Sequence, residues 1–156
     1  HDIDTLCEAY RRHILHGANR VRLWINGTGV RVAEVKAYCE RHGLPLAVTA
    51  PVPLDLLPGV LKAADAHLIT LRAPFWGYVL PSKIYACLEA GQPILFVGPA
   101  ESDVHLLASR HAGTYWRAEP GDVEAAFRAL EKMSMLGSEG HHAPSRLSFQ
   151  NLQIET

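Results

Sequence analysis

A lysine that follows a proline and a serine at the start of a helical segment is where this 156-residue chain concentrates its chemistry. In Gly77-Tyr78-Val79-Leu80-Pro81-Ser82-Lys83, Pro81 has no amide hydrogen and suits a helix's first turn, and Ser82 is a good N-cap. The amides that follow have no partner within the helix. Dipole, amides, the Ser82 hydroxyl and the Lys83 ammonium together favour an anion such as a diphosphate. The same residues also read as an ordinary capped helix with a solvated lysine, and residue types alone do not choose between the two.

A second candidate is Asn26-Gly27-Thr28-Gly29, between a strand-like and a helical segment. Glycines there let the backbone turn tightly and bring amides toward an anionic ligand. A dinucleotide fingerprint would need glycine at position 32, where the chain has Val32, so this is either a plain strand-to-helix turn or a loop lining a nucleotide site. Phe75, Trp76 and Tyr78 sit in the long loop before Lys83 and either shelter a sugar or pack the loop. In the loop after Gly98-Pro99, either Glu101 or Asp103 accepts sugar hydroxyls, or Ser102 or Asp103 caps a helix. Of nine histidines, His13 and His16 make the best metal pair, but no third ligand is nearby. The expectation is solvated or partly packed histidines and no metal. Cys7, Cys39 and Cys87 form no Cys-x-x-Cys pair and read as buried thiols in a reducing cytosol.

These residues need a scaffold, and the apolar pattern supplies one. Strand-like runs at 21–25, 46–49, 67–71, 94–97 and 114–116 alternate with helical segments at 4–16, 30–42, 54–64, 82–90, 102–111 and 122–135. That alternation predicts an α/β fold, a doubly wound parallel sheet of about five strands with helices on both faces. Gly43, Gly91 and Pro120-Gly121-Asp122 punctuate it as helix stops and turns. Trp24 and Trp116 fall in strands and are expected in the core. After Leu136 periodicity ends, so residues 1–136 read as one domain and 137–156 as an irregular or disordered tail.

Composition narrows the function classes. Fifteen Lys and Arg against sixteen Asp and Glu give a net charge of −1, so no basic field suggests nucleic acid or an anionic membrane as partner. The apolar content of 48% is enough to build a core, and the length suits about one domain. The chain opens on a helix, whereas a doubly wound sheet opens on its central strand, so a first strand is expected to be missing.

Three segments in sequence resemble the C-terminal, donor-binding half of GT-B-fold glycosyltransferases of family 4. They are LWINGTG, VTAPVPLDLLPGVLKAADAHLITL and GYVLPSKIYACLEAGQPILFVGP. The PSK form followed by AGxP resembles a bacterial subset linked with exopolysaccharide synthesis. The resemblance implies a Rossmann-like half of a GT-B fold and a nucleotide-sugar substrate, a UDP-sugar being the expected donor, with no cofactor. It implies that Gly77, Tyr78, Val79, Pro81, Ser82 and Lys83 hold the diphosphate and sugar, Lys83 acting catalytically on the leaving phosphate. It further implies that Gly27, Gly29, Thr49, Ala50 and Pro51 meet the nucleotide, the loop at 49–52 largely through backbone. Many members carry a ribose-binding glutamate where this chain has Ala86, with an earlier glutamate at the position of Tyr78. Glu89, one helical turn beyond Ala86, is the candidate substitute.

The expected function is the donor half of a retaining glycosyltransferase of polysaccharide or cell-envelope synthesis, inactive alone. Its partner would be a missing N-terminal acceptor-binding domain. The expected location is the cytoplasm, or the inner face of the membrane through at most peripheral association. The alternatives are a noncatalytic remnant or interaction module of the same fold, and half of a GT-B nucleotide-sugar epimerase. If the first strand is missing, the sheet should show a gap between the second- and fourth-unit strands or a rearranged pairing of the five that remain.

Overall fold

The computed structural model describes residues 2–71, 83–111, 113–136 and 145–149. In chain order the elements are α1 (Asp2–His16), β1 (Val21–Asn26), α2 (Val30–His42), β2 (Leu46–Thr49), α3 (Leu57–Ala63) and β3 (Ala66–Thr70). They continue with α4 (Lys83–Ala90), β4 (Ile94–Val97), α5 (Asp103–His111), β5 (Tyr115–Ala118), α6 (Val123–Leu136) and β6 (Ser145–Phe149). Helix α3 starts three residues later than its apolar pattern suggests. A helix from Leu54 would need an amide hydrogen at position 58, which Pro58 lacks; Pro58 sits instead in the first turn, where none is needed. Helix α2 stops where Gly43 takes φ 65°, a left-handed conformation that glycine adopts without a Cβ penalty.

The strands form one six-stranded sheet in the order β2-β1-β6-β3-β4-β5, every pairing parallel. The doubly wound α/β expectation holds, a Rossmann-like sheet consistent with half of a GT-B fold. Two expectations are corrected. Residues 145–149 are a strand rather than part of an irregular tail, and the sheet has neither a gap nor a five-strand repairing, because β6 fills the place between β1 and β3. The register pairs Leu147 with Leu23 and Phe149 with Ile25. The alternation Leu147-Ser148-Phe149 thus runs in step with Leu23-Trp24-Ile25, which a reading of five residues beyond a periodic helix did not register as a strand.

Two apolar layers sandwich the sheet. Helices α1, α2 and α6 cover one face with Leu6, Tyr10, Val35, Cys39, Ala126 and Leu130 against Leu23, Ile25 and Leu68. Helices α3, α4 and α5 cover the other, with Leu61, Ile84, Cys87, Val104 and Ala108 against Ile69, Ile94 and Phe96. β4 is buried along its whole length, as a continuous apolar run in a central parallel strand should be. The three cysteines are buried thiols, and burial lifts Cys7 to about 12 and Cys39 to about 11, so neither is a nucleophile at neutral pH.

The first layer is fastened by a polar knot. His13 is fully buried; its Nε2 accepts from the amides of Arg20 (3.1 Å) and Val21 (2.9 Å), so its proton sits on Nδ1, which donates to Glu131 Oε1 at 2.5 Å. Both Glu131 oxygens also accept from Ala18 N at 3.1 Å. One histidine thereby ties α1 and α6 to the start of β1, and the expectation that it is solvated or partly packed is corrected, since it is fully buried. With both ring nitrogens engaged, it has no lone pair to offer a metal. No helix among the described residues is long and apolar enough to cross a membrane.

Candidate functional site

In a parallel sheet all strands point the same way, so every loop leaving a strand's C-terminal end emerges at one edge. Here that edge gathers the loop after β1, the loop after β2, the start of α4 and the turn after β4. The first two are joined directly. The Gly27 amide donates to Thr49 O at 3.0 Å, and Asn26 Nδ2 donates to Thr49 Oγ1 (2.9 Å) and to Ala50 O (2.7 Å). Trp24 Nε1 adds a bond to the same Thr49 hydroxyl at 2.8 Å. Gly27, Gly29, Thr49, Ala50 and Pro51 therefore belong to one rim.

Gly29 has φ 120°, in the region that excludes side chains, and its carbonyl accepts from Ala33 N at 3.1 Å to start α2. A Cβ on Gly27 or Gly29 would meet nothing within 4 Å, so the space before α2 is open. Pattern reading found these glycines and missed their organisers. Asn26 looked like part of a turn and Trp24 like core, yet Trp24 is only half-buried and its indole serves the rim. Its alternation with the buried Leu23 and Ile25 was the available signal. Trp116, by contrast, packs against the first core layer.

Helix α4 begins at Lys83 and runs antiparallel to the strands, which brings its N-terminus to the same rim beside β3. Gly77, Tyr78, Val79, Pro81 and Ser82, with Phe75 and Trp76, lie outside the described residues. Ala86 is half-buried, packed against the second core layer. Glu89 is exposed one residue before the helix ends, six residues or about 9 Å of helical rise below Lys83, and is not gathered with the rim.

The turn after β4 is built around a close approach. A Cβ on Gly98 would collide with the Phe96 ring, so only glycine lets the chain turn over that side chain. Ser102 is buried and its hydroxyl accepts from the His105 amide at 3.2 Å, the capping role expected of it. Glu101 and Asp103 are exposed at this turn. Arg117, which no pattern singled out, donates from Nη1 to Gly98 O (3.0 Å) and to Glu119 (2.6 Å), placing a guanidinium behind the turn. His105 Nδ1 lies 2.9 Å from the Tyr115 hydroxyl; burial and then Arg117 hold its pKa below the usual histidine value, so it is neutral at pH 7. Among the described residues no group of three or more His, Cys, Asp or Glu is placed to hold a metal ion.

The rim thus offers backbone amides, glycine-opened space and a helix N-terminus. No family profile and no solved structure matches the chain. A curated protein of Escherichia coli K12 described as the colanic acid biosynthesis glycosyl transferase WcaI is 26% identical over 130 residues, 80% of this chain and 32% of that protein. A Pseudomonas aeruginosa protein described as the glycosyltransferase WbjE is 29% identical over 111 residues, 70% of this chain and 28% of that protein. The chain spans about a third of the length of the curated relatives it matches, and what it is similar to is a part of two bacterial glycosyltransferases.

Proposed function

We propose that this chain is the nucleotide-sugar donor half of a retaining glycosyltransferase acting in polysaccharide or cell-envelope glycan synthesis at the cytoplasmic side. The observation that carries the reading is the match to WcaI across four-fifths of this chain, together with a parallel sheet whose loops meet at one rim. The loops after β1 and β2 take the nucleotide, and the start of α4 takes the diphosphate. The ends of β1 and β3 are two interstrand spacings apart, roughly 10 Å, a gap suited to a ligand with a base at one end and phosphates at the other.

In such a transfer, negative charge grows on the leaving diphosphate as the anomeric carbon is attacked. Amides at the start of α4 and the Lys83 ammonium stabilise that charge electrostatically, with no proton transfer of their own. The acceptor hydroxyl comes from a separate acceptor-binding domain, so this chain alone binds donor weakly and transfers nothing. A UDP-sugar is the preferred donor.

A thermal-shift panel of UDP-, GDP- and ADP-sugars tests the reading. At tenfold over Kd a bound donor adds about 1.4 kcal/mol, a rise of about 3–5 °C for a chain of this size. The expected result is such a rise with one nucleotide class, lost in Lys83→Ala. No shift with any nucleotide sugar at millimolar concentration favours a noncatalytic remnant of the fold, and sugar transfer by the isolated chain contradicts the half-enzyme reading.

A further inference from the structure

The two ends of the sheet are not alike. β2 and β5 are its outermost strands among the described residues, and each has a strand partner on one side only. Helices α5 and α6 pack on β5, and none of its residues is exposed. On β2, by contrast, Ala47, Val48 and Thr49 are all exposed, and Leu46-Ala47-Val48-Thr49 holds no charge and no proline, the usual devices that blunt an edge. The direction of its backbone groups follows from one bond. The Gly27 amide donates to Thr49 O, so Thr49 and, two residues back, Ala47 turn their backbone groups toward β1. Leu46 and Val48 turn theirs away from the sheet.

An antiparallel copy of β2 fits that edge in one register. With Ala47 opposite Ala47 of the second copy, Leu46 faces Val48 and Val48 faces Leu46. Both outward-turned residues of each chain then form hydrogen-bonded pairs, each pair exchanging its two N–H···O bonds. The side chains agree with the backbone. Leu46 and Val48 stand in register with Leu23 and Ile25, on the face of the first core layer, and Val48, 41% exposed in the single chain, packs against Leu46 of the second copy. On the other face only the two Ala47 methyl groups meet at the axis, and they are small. Pro45, which has no amide hydrogen, falls opposite Thr49, where both backbones turn inward and no donor is needed; its carbonyl accepts from the Tyr10 hydroxyl of its own chain.

We propose that two copies of this chain pair through β2 about a two-fold axis at Ala47, joining their six-stranded sheets into one continuous sheet. The interface is isologous, the same strand serving both sides. Paired strands run in opposite directions, so the two rims point to opposite ends of the dimer. One short strand from each side makes a small interface, and the dimer therefore forms and dissociates with concentration.

Val48→Pro tests this selectively, because it removes an amide hydrogen that points away from the sheet and leaves the bonds to β1 in place. Light scattering of the full, unmodified chain should show its mass rising from 17.2 kDa toward twice that value between micromolar and millimolar concentration. Val48→Pro, with unchanged far-UV circular dichroism, should stay at the single-chain mass. Ala47→Cys gives a reading that does not depend on how that variant folds. Position 47 lies opposite itself with α-carbons about 4.5 Å apart, within reach of a disulfide, and the native cysteines are buried. On mild oxidation Ala47→Cys should link into dimers at least severalfold faster than Ser109→Cys, at an exposed position on α5. A single-chain mass at every concentration overturns the proposal. So does a dimer that persists in folded Val48→Pro, or Ala47→Cys linking no faster than Ser109→Cys.

Discussion

At the scale of the residue, the informative side chains are polar groups held inside the molecule. His13 and His67 are both fully buried, but only His13 has partners; both ring nitrogens of His67 lack a hydrogen bond among the described residues. Burial lowers both ring pKa values, that of His67 from 6.5 to about 4. The folded values lie below the unfolded one, so the unfolded chain takes up more protons as pH falls. Stability is full above about pH 6.5 and declines through pH 4, His67 alone accounting for about 3 kcal/mol of that loss. His67→Leu should remove this part of the acid limb and raise stability at pH 7 by about 1–2 kcal/mol, read from urea midpoints at pH 7 and pH 4.5. An unchanged acid limb in that variant would show that another group governs it. Gly17 gives a second test, since a Cβ there would overlap the Glu131 carboxylate. Gly17→Ala and Glu131→Ala should each cost about 2 kcal/mol and the pair little more than either, because both break one knot. Simple additivity in that cycle would mean the two act separately. None of this was legible in the sequence, where His13 was one of nine histidines and Glu131 lies 118 positions away from it.

The elements were far more legible, for reasons that are local. Continuous apolar runs, helical spacing and glycine stops are written within a few residues of each other, so β4, α2 and the Gly43 stop were readable in place. Helix α3 was misjudged at its start because apolar spacing says nothing of the amide that Pro58 lacks. β6 was missed for a different reason. Five residues carry too little periodicity, and what makes Ser145–Phe149 a strand is the pair of strand edges that flank it, both distant in sequence. The element scale therefore makes its own prediction. Ending the chain after Leu136 exposes the facing edges of β1 and β3, and the truncated protein should lose its cooperative urea transition or fall out of solution. A truncated chain that unfolds as sharply as the full one, at the same midpoint, would mean that β6 contributes nothing to the sheet.

At the scale of the whole molecule, the parallel sheet turns scattered residues into one rim. Gly27, Gly29, Thr49, Ala50 and Pro51 were expected at the nucleotide from a resemblance, and two loops that the sequence separates by about twenty residues are bonded together by Asn26 and the Gly27 amide. The start of α4 reaches the same rim at Lys83, whereas Glu89 stands near the helix's far end. The similarity to WcaI and WbjE extends over 80% and 70% of the chain. The central claim is that the rim binds the nucleotide diphosphate of a sugar donor. Amide-detected NMR of the 15N-labelled full chain, titrated with UDP-glucose to several millimolar, tests it most directly. Binding predicts shifts that cluster at Gly27, Gly29, Thr49, Ala50 and the first turn of α4, and that vanish in Lys83→Ala. Shifts at the opposite edge of the sheet, or none at all with UDP-, GDP- or ADP-sugars, would contradict it.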